Sequence, residues 1–335
     1  MIRTAIAKLV SGDSIGRDLA RDTMEQVLSG EAPASQIGAL AVAMRLRGET
    51  AEEIAGMAEA MRARVGPIRT RRHPLIDTCG TGGDNAGTFN ISTTVALVTA
   101  SCGVAVAKHG NRAVSSRTGS ADVLEKLGVQ LDLTSEAAGR SLDMLGITFL
   151  FAPNYHSALK HAAAPRREIG VRTVFNVLGP LTNPAGATRQ LLGVYAPQLV
   201  RTLAEVLGRL GSERAWVVHG DDGMDELTVF ATNRVAELDR GAVREFVLDP
   251  ADHGLRHAER DGVQGGDADF NAERIRAILE GQAGPGRDIV LLNAGAALVV
   301  AGVARDPAQG IAQAREAIDS GAARRKLDEL AAFRA

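Results

Sequence analysis

Pro74-Leu-Ile-Asp77 runs into Thr78-Cys-Gly-Thr-Gly-Gly-Asp84, and shortly afterwards Thr88-Phe-Asn-Ile-Ser-Thr-Thr94 opens an apolar stretch. A short apolar run, a glycine-rich turn and a helix, in that order, form the first half of a βαβ unit. Such a turn gathers backbone amides and hydroxyls at the carboxyl end of a strand, where phosphate binds. The glycines let the main chain approach an anion closely. Asn90, Ser92, Thr93 and Thr94 stand at a helix start whose dipole already favours negative charge. The spacing is neither that of a Walker loop nor that of the dinucleotide fingerprint. An isolated Gly-Gly pair is more often a plain turn with hydroxyl caps. Here the glycines, Asp77, Asp84 and the Ser/Thr run together exceed what one turn or one cap requires.

Downstream, Gly103-Val-Ala-Val-Ala107 and Ile147-Thr-Phe-Leu-Phe151 alternate with helical patterns, which predicts a mostly parallel sheet wrapped by helices. Ala215-Trp-Val-Val-His219 and Val243-Arg-Glu-Phe-Val-Leu248 extend that sheet, and helix returns from Asp288 onward, with Asp306-Pro307 as a cap and first turn. Upstream, the period changes. Ile2, Ala5, Ile6, Leu9 and Val10, then Ile37, Leu40, Ala41 and Met44, recur at helical spacing. Thr50-Ala-Glu-Glu53 reads as a capping box, and Gly30 and Gly48 sit where helix C-caps belong. The expected fold is α/β, with a small N-terminal helical domain ending near Val65-Gly66-Pro67 and a larger α/β domain.

Three further segments carry chemistry. Lys108-His-Gly-Asn-Arg-Ala-Val-Ser-Ser-Arg-Thr-Gly-Ser120 is a cationic loop at the second strand's carboxyl end. Lys108 supplies a point charge, Arg112 and Arg117 supply forks, and Ser115, Ser116 and Ser120 supply donors for a pyrophosphate. Gly110 and Gly119 would give the loop freedom to close. For the two arginines a solvated surface loop is an equally good reading, and His109 is either a packed imidazole or a substrate contact. Asp225-Glu226 ends another strand pattern with hard oxygen ligands of the kind magnesium accepts, although a lone Asp-Glu pair is commonly only an acidic turn. Arg166 fits either a carboxylate clamp or a surface ion pair with Glu168 or Glu205. Gly179-Pro180 and Asn183-Pro184 fix turns between the helical layer and the sheet domain.

Lysine plus arginine (38) nearly balance aspartate plus glutamate (40), so no whole-chain field favours nucleic acid or an acidic membrane surface. Aromatic content of 3% leaves few stacking platforms for nucleic-acid bases. Cys79 and Cys102 form no paired metal-ligand spacing and suit a reducing compartment. The first residues are too short an apolar stretch for a secretory core, and no run is long enough to span a membrane. A cytoplasmic enzyme without nucleic-acid or membrane partners is expected.

Taken together, Gly80-Thr-Gly-Gly-Asp84 with Asn90-Ile-Ser-Thr93, Lys108-His-Gly-Asn111 through Ser120, Arg166-Arg-Glu168 with Gly179-Pro-Leu-Thr-Asn-Pro184, and Asp225-Glu226 resemble the anthranilate phosphoribosyltransferases. The likeness runs nearly end to end and includes Leu291-Leu-Asn-Ala-Gly-Ala-Ala-Leu298 and Ile318-Asp-Ser-Gly321. It implies transfer of the phosphoribosyl group from phosphoribosyl pyrophosphate to the amine of anthranilate, in tryptophan biosynthesis. It also implies magnesium, as two ions travelling with the pyrophosphate, and a homodimer with the active site in a cleft between two domains. Residues 1–66, completed by 160–185, would be the helical domain, and 67–159 with 186–335 the α/β domain.

Carried over by matching position, Gly80, Gly83, Asp84, Thr88, Asn90, Ile91, Ser92, Thr93, Lys108, Ser116 and Ser120 would hold phosphoribosyl pyrophosphate. Ser92, Asp225 and Glu226 would serve magnesium. Gly80, His109, Asn111, Arg166, Gly179 and Pro180 would line the anthranilate site, with Arg166 on the carboxylate. No general base is assigned, and His109 is the one catalytic candidate. The alternatives are a nucleoside phosphorylase, whose free phosphate needs no magnesium clamp of the Asp225-Glu226 kind, and a non-enzymatic nucleic-acid-binding relative, against which the charge balance argues.

Overall fold

A computed structural model describes all residues except 114–116 and 258. Four helices open the chain: α1 (Ile2–Val10), α2 (Gly16–Leu28), α3 (Ala34–Arg47) and α4 (Ala51–Arg62). The capping box before α4 forms as the sequence predicts: Thr50 Oγ1 accepts from the Glu53 N–H while Glu53 accepts from the Thr50 N–H. Gly48, at φ 89°, closes α3, and Gly30, at φ 80°, follows α2.

The chain then alternates: β1 (Ile76–Gly80), α5 (Ile91–Ser101), β2 (Val106–Gly110), α6 (Ser120–Lys126), α7 (Ser135–Leu145) and β3 (Ile147–Phe151). A helical excursion follows in α8 (Ala152–Tyr155), α9 (Lys160–Ile169) and α10 (Phe175–Leu178). It returns through β4 (Arg189–Gly193), α11 (Leu199–Arg209), β5 (Arg214–Gly220), β6 (Asn233–Asp239) and β7 (Ala242–Leu248). Helices α12 (Ala268–Leu279), α13 (Pro285–Val300), α14 (Pro307–Asp319) and α15 (Ala322–Ala332) close the chain. The sequence places the return to helix at Asp288; it begins earlier, with α12, and Pro285 takes the first turn of α13.

The strands form one sheet in the order β3-β2-β1-β4-β5-β6-β7. All neighbours from β3 to β5 pair parallel, and β5-β6-β7 pair antiparallel. The hairpin turn uses Arg240 at φ 47° and Gly241 at φ 89°, the pair of positive φ values a tight turn between twisted strands demands. Neither β4 nor β6 is evident from apolar pattern alone, so the sequence places fewer strands in the sheet than the structure does.

Because β2 and β3 lie to one side of β1 and β4 to the other, the order reverses between β1 and β4, which opens a crevice at their carboxyl ends. Alternate side chains feed two cores. Leu191, Trp216 and Val218 pack with α5, α13 and α15, while Leu192, Ala215 and Val217 pack with α11. That second core continues into α1–α4 and takes in Ala162 of α9 and Phe175, Val177 and Leu178 of α10. The excursion after β3 is therefore packed against the opening helices.

Candidate active site

The glycine loop after β1 and the acidic loop after β5 are interlocked. The Gly82 N–H donates to Asp225 Oδ2 at 2.6 Å, and the Asp225 N–H donates to Asp84 Oδ2 at 3.3 Å. Two glycines permit the approach. A Cβ on Gly80 would stand 2.4 Å from Asp225 Oδ2, and one on Gly193, the last residue of β4, only 1.5 Å from the Asp225 carbonyl oxygen. Gly193 has no role in the sequence reading; its signal is a glycine closing the short Leu-Leu-Gly run at the switch point.

Asp84, Asp225 and Glu226 thus crowd one small volume. Burial, then the charges of Asp84 and Glu226, push the Asp225 carboxyl well above its ordinary range. Burial likewise raises Glu226 to about 8, partly countered by Lys108 and by a hydrogen bond from the Ser92 backbone N–H in the first turn of α5. Lys108, 3% exposed, donates from Nζ to the Thr78 carbonyl at 2.7 Å and to Ser92 Oγ at 3.3 Å. The chain so brings an ammonium, a helix N-terminus and three carboxylates to one strand-end cluster.

Other members of the phosphate set are placed around it. Thr88 forms an isolated bridge with Gln264, and Ile91 is buried. Thr93, also buried, keeps an Oγ1 without a partner among the described residues. Arg172 donates to the Gly83 carbonyl and lies over the Tyr195 ring, its Cζ 4.5 Å from the centroid, tying the helical excursion to the glycine loop. Ser120 opens α6 and donates to the Asn111 carbonyl at 3.2 Å; Ser116 lies outside the described residues. Gly110 and Gly119 serve close packing rather than loop freedom, since added Cβ atoms would meet Ser120 Oγ at 2.1 Å and Ala113 N at 2.4 Å. Arg112 is not left open as a phosphate fork: Asp122 at 2.9 Å and Glu125 at 3.0 Å engage it.

The other wall has a different chemistry. His109 is 7% exposed, its ring centroid is 5.0 Å from that of His156, and burial, then His156 and Lys108, lower its pKa to about 3. A hydrogen bond with the Gly179 backbone works in the opposite direction. Burial lowers His156 to about 4, and among the described residues the Nε2 atoms of both rings and the Tyr155 hydroxyl have no hydrogen-bond partner. Arg166 makes no ion pair among the described residues, Glu168 and Glu205 included; its guanidinium is held 5.8 Å from the centroid of Phe175 and is desolvated, which lowers its pKa. Asn111 is exposed, its Oδ1 accepting from the Arg112 N–H at 2.7 Å.

Gly179 and Pro180 follow α10 directly, and buried groups pin that turn to the sheet. Gln190 Nε2 donates to the Pro180 carbonyl at 2.7 Å, and Asn183 Nδ2 donates at 2.8 Å both to Asp77 Oδ2 and to the Ala107 carbonyl. Asp77, fully buried, accepts the His109 N–H at 3.1 Å through its other oxygen. One carboxylate therefore joins the end of β2 to the turn that faces it. Asp77 and Asn183 stand within the quoted motifs, but nothing in their spacing reveals this contact.

Residues 3–65 match the helical bundle domain of a glycosyl transferase family and residues 72–324 its a/b domain. An anthranilate phosphoribosyltransferase of Moorella thermoacetica is 53% identical, over 99% of this chain and 98% of the relative. The chain belongs to the anthranilate phosphoribosyltransferases. The crystal structure of the anthranilate phosphoribosyltransferase from Thermus thermophilus has a TM-score of 0.93 at 46% identity, covering 98% of both chains. That of the Saccharomyces cerevisiae anthranilate phosphoribosyltransferase, in complex with PRPP and Mg, has a TM-score of 0.88 at 27% identity, covering 98% of this chain and 96% of the yeast one. As the sequence predicts, the fold is α/β, with a small helical domain and a mostly parallel sheet. Among the described residues no helix is long and apolar enough to cross a membrane.

Proposed function

We propose that the crevice at the ends of β1 and β4 binds phosphoribosyl pyrophosphate against the loops and anthranilate against the α8–α10 wall, and joins the anthranilate amine to the anomeric carbon of the ribose with release of pyrophosphate. The observation that carries this reading is a contrast of charge: crowded carboxylates beside Lys108 at the strand ends and, on α9, a partly desolvated Arg166 with no ion pair among the described residues. Gly80, Gly83, Asp84, Thr88, Asn90, Ile91, Ser92, Thr93, Lys108, Ser116 and Ser120 are assigned to the phosphoribosyl donor. Gly80, His109, Asn111, Arg166, Gly179 and Pro180 are assigned to anthranilate.

The acidic cluster fits magnesium. Carboxyls pushed upward by burial and mutual repulsion mark a surplus of negative charge that a hard cation offsets. Magnesium commonly shares its shell with substrate phosphates and waters, so two carboxylates and a hydroxyl suffice on the protein side. Ser92, Asp225 and Glu226 would hold the ions, two being the expectation, and when bound they supply charge neutralisation to the departing pyrophosphate.

The remaining chemistry belongs to the chain. Lys108 adds a fixed positive charge where the leaving group gathers negative charge. The aromatic amine is neutral at pH 7, so its attack, with inversion, needs positioning more than deprotonation. Arg166 provides that positioning through the carboxylate. After bonding, the nitrogen is acidic enough to lose its proton to a weak base. His109, neutral at pH 7 with an Nε2 that has no hydrogen-bond partner among the described residues, is the candidate to accept it.

Two coarser assignments complete the proposal. Met1, Val42 and Leu46, exposed apolar residues on or beside α1 and α3, support a homodimer through the opening helices, and the two free cysteines, Cys79 and Cys102, support a reducing, cytoplasmic setting. The domain division proposed is 1–66 with 160–185 against 67–159 with 186–335, supported by the shared core of α1–α4 with α9 and α10.

Anthranilate fluorescence, followed with phosphoribosyl pyrophosphate and either magnesium or a chelator, tests the proposal. Signal should decay with magnesium and persist with the chelator. Persistence under saturating substrates and magnesium would overturn the reaction, and equal decay in both would overturn the metal requirement.

A further inference from the structure

The segment 263–271 lies far along the chain from either phosphate loop, yet touches both. Phe89 N–H donates to the Val263 carbonyl at 3.0 Å and Gly265 N–H to the Gly87 carbonyl at 2.7 Å. The two stretches lie so close that a Cβ on Gly265 would stand 2.4 Å from the Thr88 carbonyl oxygen. From the other side, Thr118 of the basic loop donates its hydroxyl to the Gly266 carbonyl at 2.8 Å.

Asn271, in the second turn of α12 and 1% exposed, closes this arrangement into a circuit. Its Oδ1 accepts the Gly266 N–H at 2.8 Å, and its Nδ2 donates to Asn90 Oδ1 at 3.0 Å. Asn90 Nδ2 then donates to the Thr118 carbonyl at 3.1 Å. Both ends of the chain of amides are main-chain groups whose roles cannot be exchanged: Gly266 N–H only donates and the Thr118 carbonyl only accepts. Each therefore forces the same orientation on both asparagines. One lone pair of Asn90 Oδ1 and one hydrogen of its Nδ2 are taken by the circuit, and the second hydrogen is left at a set angle at the start of α5.

We propose that Asn271 is a positioning residue for phosphoribosyl pyrophosphate, acting through Asn90: it fixes which way the Asn90 amide faces and holds the basic loop against the glycine loop. The inference rests on the assignment of Asn90 to that substrate. No part of it follows from the spacing of the motifs, since Asn271 and Asn90 are 181 residues apart.

The test measures affinity for phosphoribosyl pyrophosphate with magnesium by calorimetry, in the intact chain, Asn271→Ala, Asn90→Ala and the double variant. Asn271→Ala is expected to weaken binding about tenfold, the scale of one well-placed hydrogen bond. In the Asn90→Ala background the same substitution should change it less than about twofold, because the residue it acts through is gone. Equal losses in both backgrounds would mean that Asn271 acts on the fold at large, and no loss in the intact background would remove the role altogether. Should Asn271→Ala fail to fold, Asn271→Asp decides between the same outcomes. It keeps an oxygen for the Gly266 N–H, removes the donor to Asn90, and is read with its thermal midpoint. If the intact chain itself fails to bind phosphoribosyl pyrophosphate, it is the functional assignment that falls, not the circuit.

Discussion

The loops at the ends of β1 and β5 are crowded with carboxylates, whereas the wall formed by α8, α9 and α10 carries polar groups with no partners among the described residues. On the loop side each charged group already has a protein neighbour: Lys108 is spent on Thr78 and Ser92, Asp225 on Gly82, and Glu226 on the Ser92 N–H. What is wrong there is the sum, an excess of negative charge in a buried place. On the wall side the excess is positive, with Lys160, Arg166, Arg167 and Arg172 against Glu168 alone; Arg166 has no ion pair among the described residues, and the Tyr155 hydroxyl and the Nε2 atoms of His156 and of His109, which meets it from the end of β2, are buried with no hydrogen-bond partner among them. Buried unmatched polar groups cost stability, and so do crowded carboxylates. The two sides thus lack different things, a cation on one and a carboxylate or hydrogen-bonding partner on the other, and a magnesium-bound pyrophosphate with anthranilate supplies both.

The comparison breaks most completely at Gly193. Alanine there cannot be accommodated without moving the Asp225 main chain, because its Cβ would stand 1.5 Å from the carbonyl oxygen. Displacing the acidic loop by an ångström misaligns Asp225 and Glu226 together, and such misplacements cost on the order of 100-fold in rate. Gly193→Ala should lose about that much kcat while its anthranilate KM changes little. Steady-state kinetics check this, and a variant with unchanged kcat would show that the interlock of the loops is not what assembles the loop side.

The wall side is broken separately by Arg166→Ala. A hydrogen bond to a charged group is worth roughly 1.5–3 kcal/mol, so the anthranilate KM should rise about 10- to 100-fold with the phosphoribosyl pyrophosphate KM nearly constant. The reverse pattern, with only the phosphoribosyl pyrophosphate KM raised, would place Arg166 on the loop side and undo the division.

The same division explains what was legible in the sequence. The loop side is built from contiguous segments, Gly80 to Asp84 and Asn90 to Thr93, whose glycines and hydroxyls announce a phosphate site through local chemistry alone. Its supports are not local. Gly193 matters only because a loop from the next strand packs on it, Asn183 reaches Asp77 across 106 residues, and Asn271 reaches Asn90 across 181. β4 escaped the apolar pattern because Arg189 and Gln190 occupy two of its five positions, one meeting Ala301 and the other Pro180. On the wall, Arg166 is an arginine on a short helix like many others. Only the absence of any ion pair among the described residues, seen once Phe175 is beneath it, distinguishes it from a surface residue.

The smallest effect sharpens the contrast through pH, with opposite signs on the two sides. His109 and His156 hold folded pKa values of about 3 and about 4 against an ordinary 6.5. Below pH 6.5 the unfolded chain therefore binds protons that the folded chain refuses, and stability falls as pH drops toward 4. Glu226, at about 8 against an ordinary 4.5, behaves inversely: above pH 4.5 the unfolded carboxyl ionises while the folded one keeps its proton, so stability falls as pH rises toward 8. Without metal or substrate the two effects oppose each other between pH 4.5 and 6.5, so the thermal midpoint should be highest in that window and fall on either side of it, below through the histidines and above through Glu226. His109→Gln with His156→Gln should flatten the acid flank only, and Glu226→Gln the alkaline flank only. Scanning calorimetry across that range decides it. If the histidine pair changed the alkaline flank instead, the two walls would be titrating as one unit, and the separation of a cation-deficient side from an unmatched side would have to be abandoned.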